Sequence, residues 1–358
     1  MARGAFIAGP AAPMHPTRLL CAAWLVVAVA VPAAAQTAPL PPALERYLAS
    51  TVKPSASERQ RLARGEPVTR MLDADPSREV AVFGAVWVNA SRRRYREAVL
   101  DIERYERGRA FPVTRKLSAP PQLRDFDALA LPDETLRDLA DCRVGDCKVK
   151  LWREAIEAVR TRVDFAAPDA RAVAEAVMRD LLFGFVTRYL AHGNAALAEY
   201  SDDTPPVRAA DEFQALLETW PGLLDGVPEL RQALAGFPRV RWPSAVDFLY
   251  WQETRFGLKP VLRVNHVLVH EDEAMTVVAS KMLYATHYFR AALEVRVLLP
   301  DAARGDGYWL VTISRSRPDG LTGLIGRLVR GRVRGEARKG VHELLVSAKR
   351  RLEAAAAP

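Results

Sequence analysis

Ala245 to Phe256 (AVDFLYWQETRF), Val261 to Glu271 (VLRVNHVLVHE), Met275 to Ala285 (MTVVASKMLYA), His287 to Leu299 (HYFRAALEVRVLL) and Tyr308 to Arg317 (YWLVTISRSR) decide the fold. These segments are rich in Val, Leu, Tyr and Trp with a period of two, the pattern of strands. Their connections are short and carry Gly257, Lys259-Pro260, Glu271-Asp-Glu273 and Pro300-Asp301, as antiparallel hairpins require. A helix from about Leu321 to Glu353 follows. Its apolar stripe is Leu321, Leu324, Ile325, Leu328, Val333, Ala337, Val341, Leu344, Leu345, Ala348 and Leu352. Five antiparallel strands and a long helix make an α+β protein.

Upstream, Glu79 to Ala90 reads as a strand, Ser91 to Tyr105 as a helix capped by Ser91, and Phe111 to Leu117 as a short strand. From Leu131 to Pro238 the chain is mostly helical. Pro168-Asp169 opens a strong helix with Val173, Ala176, Val177, Leu181 and Phe185 on one face, and His192-Gly193-Asn194 stops it. Shorter helices fit Ala209 to Thr219 and Val227 to Ala235. Residues 36–56 mix proline with a short helical stretch and read as a linker.

Strand, helix, strand, helical region, five strands and a final helix: this order resembles the START and Bet v 1-like helix-grip superfamily. The resemblance implies a curved antiparallel sheet of about seven strands gripping the C-terminal helix, with an apolar cavity between them. The strands would begin near Glu79, Phe111, Ala245, Val261, Met275, His287 and Tyr308, and the block 125–240 would be a helical insertion after the second strand. A single START-like domain would then span 57–358. The run Lys281 to Phe289 with Ser314 to Asp319 also resembles segments of uncharacterised secreted bacterial proteins.

Leu19 to Val31 is an uncharged apolar run of thirteen residues, preceded by Arg18 and followed by small Ala33 and Ala35. A membrane span needs about 20 residues, so residues 1–35 are read as a signal peptide, with an uncleaved anchor as the plain alternative. The protein is expected to be exported, periplasmic or secreted. Only Cys142 and Cys147 remain after the leader, and Gly145-Asp146 can turn the chain between them. In an oxidising compartment a disulfide is expected there, rather than two free thiols. The spacing is neither CxxC nor that of a zinc site.

No Walker A loop, HExxH, GxSxG or GxGxxG occurs, so no motif supports nucleotide, zinc-protease or hydrolase chemistry. Polar residues on apolar strand faces remain. Alternation places His266 and His270 with Leu262, Val264 and Leu268, places His287 with Phe289, and aligns Trp309, Val311, Ile313, Arg315 and Arg317. If these faces line a cavity, His266, His270, His287, Phe289, Trp309 and Arg315 touch the ligand. The plain alternative is that each histidine satisfies a core hydrogen bond and Arg315 pairs with a carboxylate such as Glu253. His266 and His270 lie roughly 13 Å apart at 3.3 Å per residue, too far to share a metal. Neither metal nor cofactor is expected.

The chain carries 51 Lys and Arg against 43 Asp and Glu. Loss of Arg3 and Arg18 with the leader leaves 49 against 43, or +6. Arg315 to Arg351 alone holds eleven basic and three acidic residues, or +8. Arg327, Arg330 and Arg334 flank the apolar stripe of the last helix. They read either as a solvated face or as a contact with an anionic membrane surface; export disfavours nucleic acid. Three function classes follow: a binder of a lipid-like or apolar small molecule; an enzyme on the same scaffold using His287 or Arg315, of the cyclase or hydratase type that the resemblance implies; and a structural envelope protein with the helical block 125–240 as its interaction surface.

Overall fold

The computed structural model describes residues 39–255 and 259–354, all within one unit, Thr37–Pro358. The expected signal peptide lies outside the described residues. Along the chain come α1 (Pro42–Tyr47), α2 (Ala56–Ala63), β1 (Val68–Met71), β2 (Val80–Val88), α3 (Arg92–Leu100), α4 (Ile102–Tyr105) and β3 (Val113–Lys116). Helices α5 (Asp133–Ala140), α6 (Arg153–Arg162) and α7 (Ala170–His192) lead to a small hairpin of β4 (Glu199–Tyr200) and β5 (Val207–Arg208). After α8 (Ala209–Glu218) and α9 (Pro228–Gly236) come β6 (Val246–Thr254), β7 (Val261–Glu271), β8 (Thr276–Ala285), β9 (Phe289–Pro300) and β10 (Tyr308–Pro318). The chain ends in α10 (Gly323–Ala354).

The five consecutive strands form a meander, as their alternation requires. The full sheet is antiparallel, in the order β1-β2-β10-β9-β8-β7-β6-β3. All seven expected strands are present. The eighth, β1, is only four residues long and half-buried, too short for a periodic signal. His287 is not in a strand: it occupies the turn before β9, where Tyr288 takes a left-handed φ of 67°.

The expected linker is instead part of the core. Pro42 opens α1 at its first position, where a missing N–H costs nothing. Leu44, Tyr47, Leu48 and Val52 are buried with the main cluster. The prolines marked a helix start rather than a spacer.

The pleat sends alternate residues to two layers. On one face Phe83, Leu293, Val295, Trp309 and Val311 share a core with Phe185 and Tyr189 of α7, Phe213 of α8 and Leu230 of α9. On the other, Val82, Val86, Leu310 and Val267 pack with Tyr95, Val99 and Ile102, and with Val341, Leu345, Ala348 and Leu352 of α10. Helix α10 rests chiefly on β2 and β1. A Cβ at Gly84 would lie 2.7 Å from Val341 and 2.8 Å from Leu345, so glycine permits this close seat.

The second half of α10 is firmly seated, whereas in the first half Val333 and Ala337 are only half-buried against the same cluster. Leu328, expected in the core, is 84% exposed, and Leu324 is 78% exposed. The expected stripe was too wide for one face: at 100° per residue, Leu324 and Leu328 point well away from the side carrying Val341, Leu345 and Leu352. Arg330 and Arg334 fall near that sheet-facing side and are half-buried, whereas Arg327 is exposed.

Candidate functional site

Strand register sets His266 of β7 directly opposite Lys281 of β8, both facing the layer of α7 to α9. Tyr189, in the last turn of α7, places its hydroxyl between them. The Tyr189 hydroxyl lies 2.8 Å from His266 Nδ1, and Lys281 Nζ donates to it at 3.3 Å. Lys281 Nζ also donates to Asn194 Oδ1. His266 Nε2 lies 3.1 Å from Asp247 Oδ2 on β6.

Donor and acceptor counting fixes one direction for this chain. Ionised Asp247 accepts from His266 Nε2–H, so Nδ1 accepts from the Tyr189 hydroxyl, whose oxygen accepts from Lys281. The hydrogen bond from His266 leads in holding Asp247 below the usual carboxylate range. Burial lowers the His266 imidazole and raises the Tyr189 phenol. Lys281 is 0% exposed, and burial pushes its ammonium down to about 7. A fully buried lysine held by a phenol, an amide and the ring of Phe213 at 4.3 Å is an unusual core residue. Chemically, the array is a hydrogen-bonded path from a buried amine to a carboxylate that is 34% exposed.

Gly193 closes α7 beside this array. Its φ is 59°, and an added Cβ would fall 1.7 Å from the carbonyl oxygen of Phe237. Only glycine fits there, and the turn delivers Asn194 to Lys281. The sequence signal for Lys281 was its parity: Val277, Ala279 and Leu283 share its face, and all are buried apolar residues. Tyr189 extends the helical face of Phe185 by one turn.

Of the six residues expected to line a sheet–helix cavity, His266, His270, Trp309 and Arg315 point to the opposite face, away from α10. Their parity was right; which helix covered it was not legible. His270 stacks on Trp242, ring centres 4.1 Å apart, and bonds Ser244 and Asp272. Trp309 donates to Asp301 at 3.1 Å. Arg315 pairs with Glu79, not Glu253, its Nη2 2.5 Å from Oε1, and also donates to the Thr219 carbonyl at 2.6 Å. His287 bonds Thr286, while its Nε2 is buried without a hydrogen-bond partner. Burial, together with nearby Lys259, pushes that imidazole down to about 4. Phe289 is half-buried against Val261, Met282 and Ala285. The six therefore do not converge on one site.

An open cleft of about 530 Å³ lies elsewhere, where α6 and α7 meet β4; Trp152, Arg153, Phe185, Arg188, His192 and Leu197 help line it. Trp152 stacks on Phe185 at 5.7 Å and meets Tyr284 edge-on at 6.0 Å. The Arg188 guanidinium sits 5.8 Å over the Trp152 ring. Cys142 and Cys147 are bonded, with Cα atoms 4.4 Å apart, across a turn in which Gly145 takes a φ of 83°. The Gly145 and Cys147 amides donate to the carbonyls of Ser201 and Asp202, so this clip buttresses the cleft wall.

No protein-family model matches the chain, and no curated protein matches it in sequence.

Proposed function

We propose that the protein is exported and binds a lipid-like or other apolar small molecule with an acidic head group, and that the cleft over Trp152 is its seat. The carrying observation is the cleft's composition: an aromatic pair with the Arg188 guanidinium held over it, beneath a rim that bears Arg153 and His192 and also Glu154 and Glu199. Its volume of about 530 Å³ falls in the range of small-molecule sites, about 300–1,000 Å³. Arg188 would meet a carboxylate or phosphate while the apolar part lies along Trp152 and Leu197. The Cys142–Cys147 pair and the apolar leader support export. Element order supports placing the chain in the helix-grip superfamily, with 125–240 as an insertion and the second half of α10 as the gripped helix.

Organic extraction of the purified protein followed by mass spectrometry should release an amphiphile. Added long-chain fatty acid should quench tryptophan fluorescence, and Arg188→Glu should weaken that binding roughly tenfold by reversing one cationic partner. Absence of both extracted ligand and quenching would sink the reading.

A second reading, an enzyme on the same scaffold, is favoured by the buried His266 with its Asp247 partner. His287 and Arg315, the sequence candidates for that role, contribute less to it: Arg315 is engaged with Glu79. The chain from Lys281 through Tyr189 to His266 is the acid–base array such a reaction would use. Loss of any detected turnover in Tyr189→Phe, with fatty-acid binding retained, would favour it.

A further inference from the structure

The first half of α10 is only lightly seated: Val333 and Ala337 are half-buried against the cluster beneath it, while Leu324 and Leu328 are exposed. From Gly323 to Gly340, Gly326 alone is buried among the described side-chain positions, whereas Val341, Leu345, Ala348 and Leu352 are buried beyond. At 100° per residue, Leu324, Leu328, Gly331 and Gly335 fall within about 60° of one another on the outward side. A Cβ at Gly331 or Gly335 would meet nothing within 4 Å; Gly331 lies beside the two exposed leucines, while Gly335, Arg338 and Lys339 edge an open cleft of about 320 Å³ shared with Glu58, Arg61 and Thr69. Arg327 and Arg338 border the stripe on one side, Arg332 and Lys339 on the other. The segment carries Arg327, Arg330, Arg332, Arg334, Arg338 and Lys339 against Glu336, six minus one, or +5.

We propose that this half-helix docks on the surface of an anionic phospholipid bilayer. It lies flat, with Leu324 and Leu328 at the boundary between head groups and acyl chains. Arg327, Arg332, Arg338 and Lys339 reach outward to the lipid phosphates. Long basic side chains on both flanks of an apolar stripe suit this geometry, because their stems remain near the apolar layer while their charges stay in the head groups. The charge complements an anionic leaflet. No described helix is long and apolar enough to cross a membrane, so the helix lies on the surface.

Charge also selects among partners. Two copies paired along this stripe would each bring +5 to one seam and repel. A nucleic acid would engage the arginines but leave two exposed leucines unused. This inference stands apart from the cleft and does not rest on what the cleft binds.

Sedimentation of the purified protein with vesicles tests it. The protein should pellet with phosphatidylcholine vesicles containing about 30% phosphatidylglycerol and partition at least tenfold more weakly to phosphatidylcholine alone. Raising salt from about 50 to 500 mM should weaken binding by a similar factor through screening. Leu324→Ser with Leu328→Ser, and separately Arg327→Gln with Arg332→Gln and Arg338→Gln, should each lower partitioning about tenfold. Thermal midpoints should not move, because these side chains are exposed. Wild type left in the supernatant at low salt, or variants that pellet like wild type, would overturn the proposal. So would a vesicle-free dimer dissolved by the leucine changes, which would assign the stripe to a second copy.

Discussion

Lys281 is the residue whose burial most demands an account. Held at about 7 when folded and at about 10.5 when unfolded, it binds a proton in the unfolded chain that the folded chain lacks between those values. Stability should therefore rise with pH across that window, and the penalty should be fully present below pH 7. The fall from 10.5 to about 7 corresponds to about 5 kcal/mol when fully present, of which about 4 kcal/mol applies at pH 7. Lys281→Met removes that penalty but leaves Asn194 Oδ1 short of a donor, which costs about 1–3 kcal/mol. The variant should be more stable by on the order of 2 kcal/mol at pH 7, with the difference shrinking towards pH 10. Urea unfolding of both proteins at several pH values measures this; a difference independent of pH would refute the assignment. Arg315 teaches the converse. The plain alternative read from the sequence paired it with a carboxylate such as Glu253, but the partner, Glu79, is 236 residues away and no local pattern names it.

At the scale of elements, α10 holds two different helices in one. Leu345→Asp places a charge against Gly84 and should cost several kcal/mol, whereas Leu328→Asp should change stability by less than about 0.5 kcal/mol. Chemical denaturation of the two variants separates them, and equal losses would contradict the half-seated helix. The Cys142–Cys147 loop is the other element with its own consequence. Closing so short a loop contributes roughly 2 kcal/mol by chain entropy. Its amides also hold the carbonyls of Ser201 and Asp202. Replacing both cysteines with serine should therefore lower the thermal midpoint and speed hydrogen exchange at residues 199–203 more than at the meander, as mass spectrometry would resolve.

At the scale of the whole molecule, the strand meander, the last helix, the helix ending at His192 and the cysteine turn were all legible from the chain. Backbone geometry alone makes side chains alternate along a strand and recur every third or fourth residue along a helix, so local order writes itself into local sequence. Face assignment did not follow. His266, Trp309 and Arg315 were read on the correct parity but beneath the wrong helix. Parity says which residues share a side, while α7 to α9 and α10 both offer apolar faces that could cover it. Strand parity likewise sets Lys281 with Val277, Ala279 and Leu283, although Lys281 was not among the candidate residues read from the sequence. Only the tertiary structure decided that Tyr189, Asn194 and Asp247 meet around Lys281 and His266, because hydrogen bonds between residues far apart in the chain depend on how layers stack, and that stacking is chosen by the packing of the whole core.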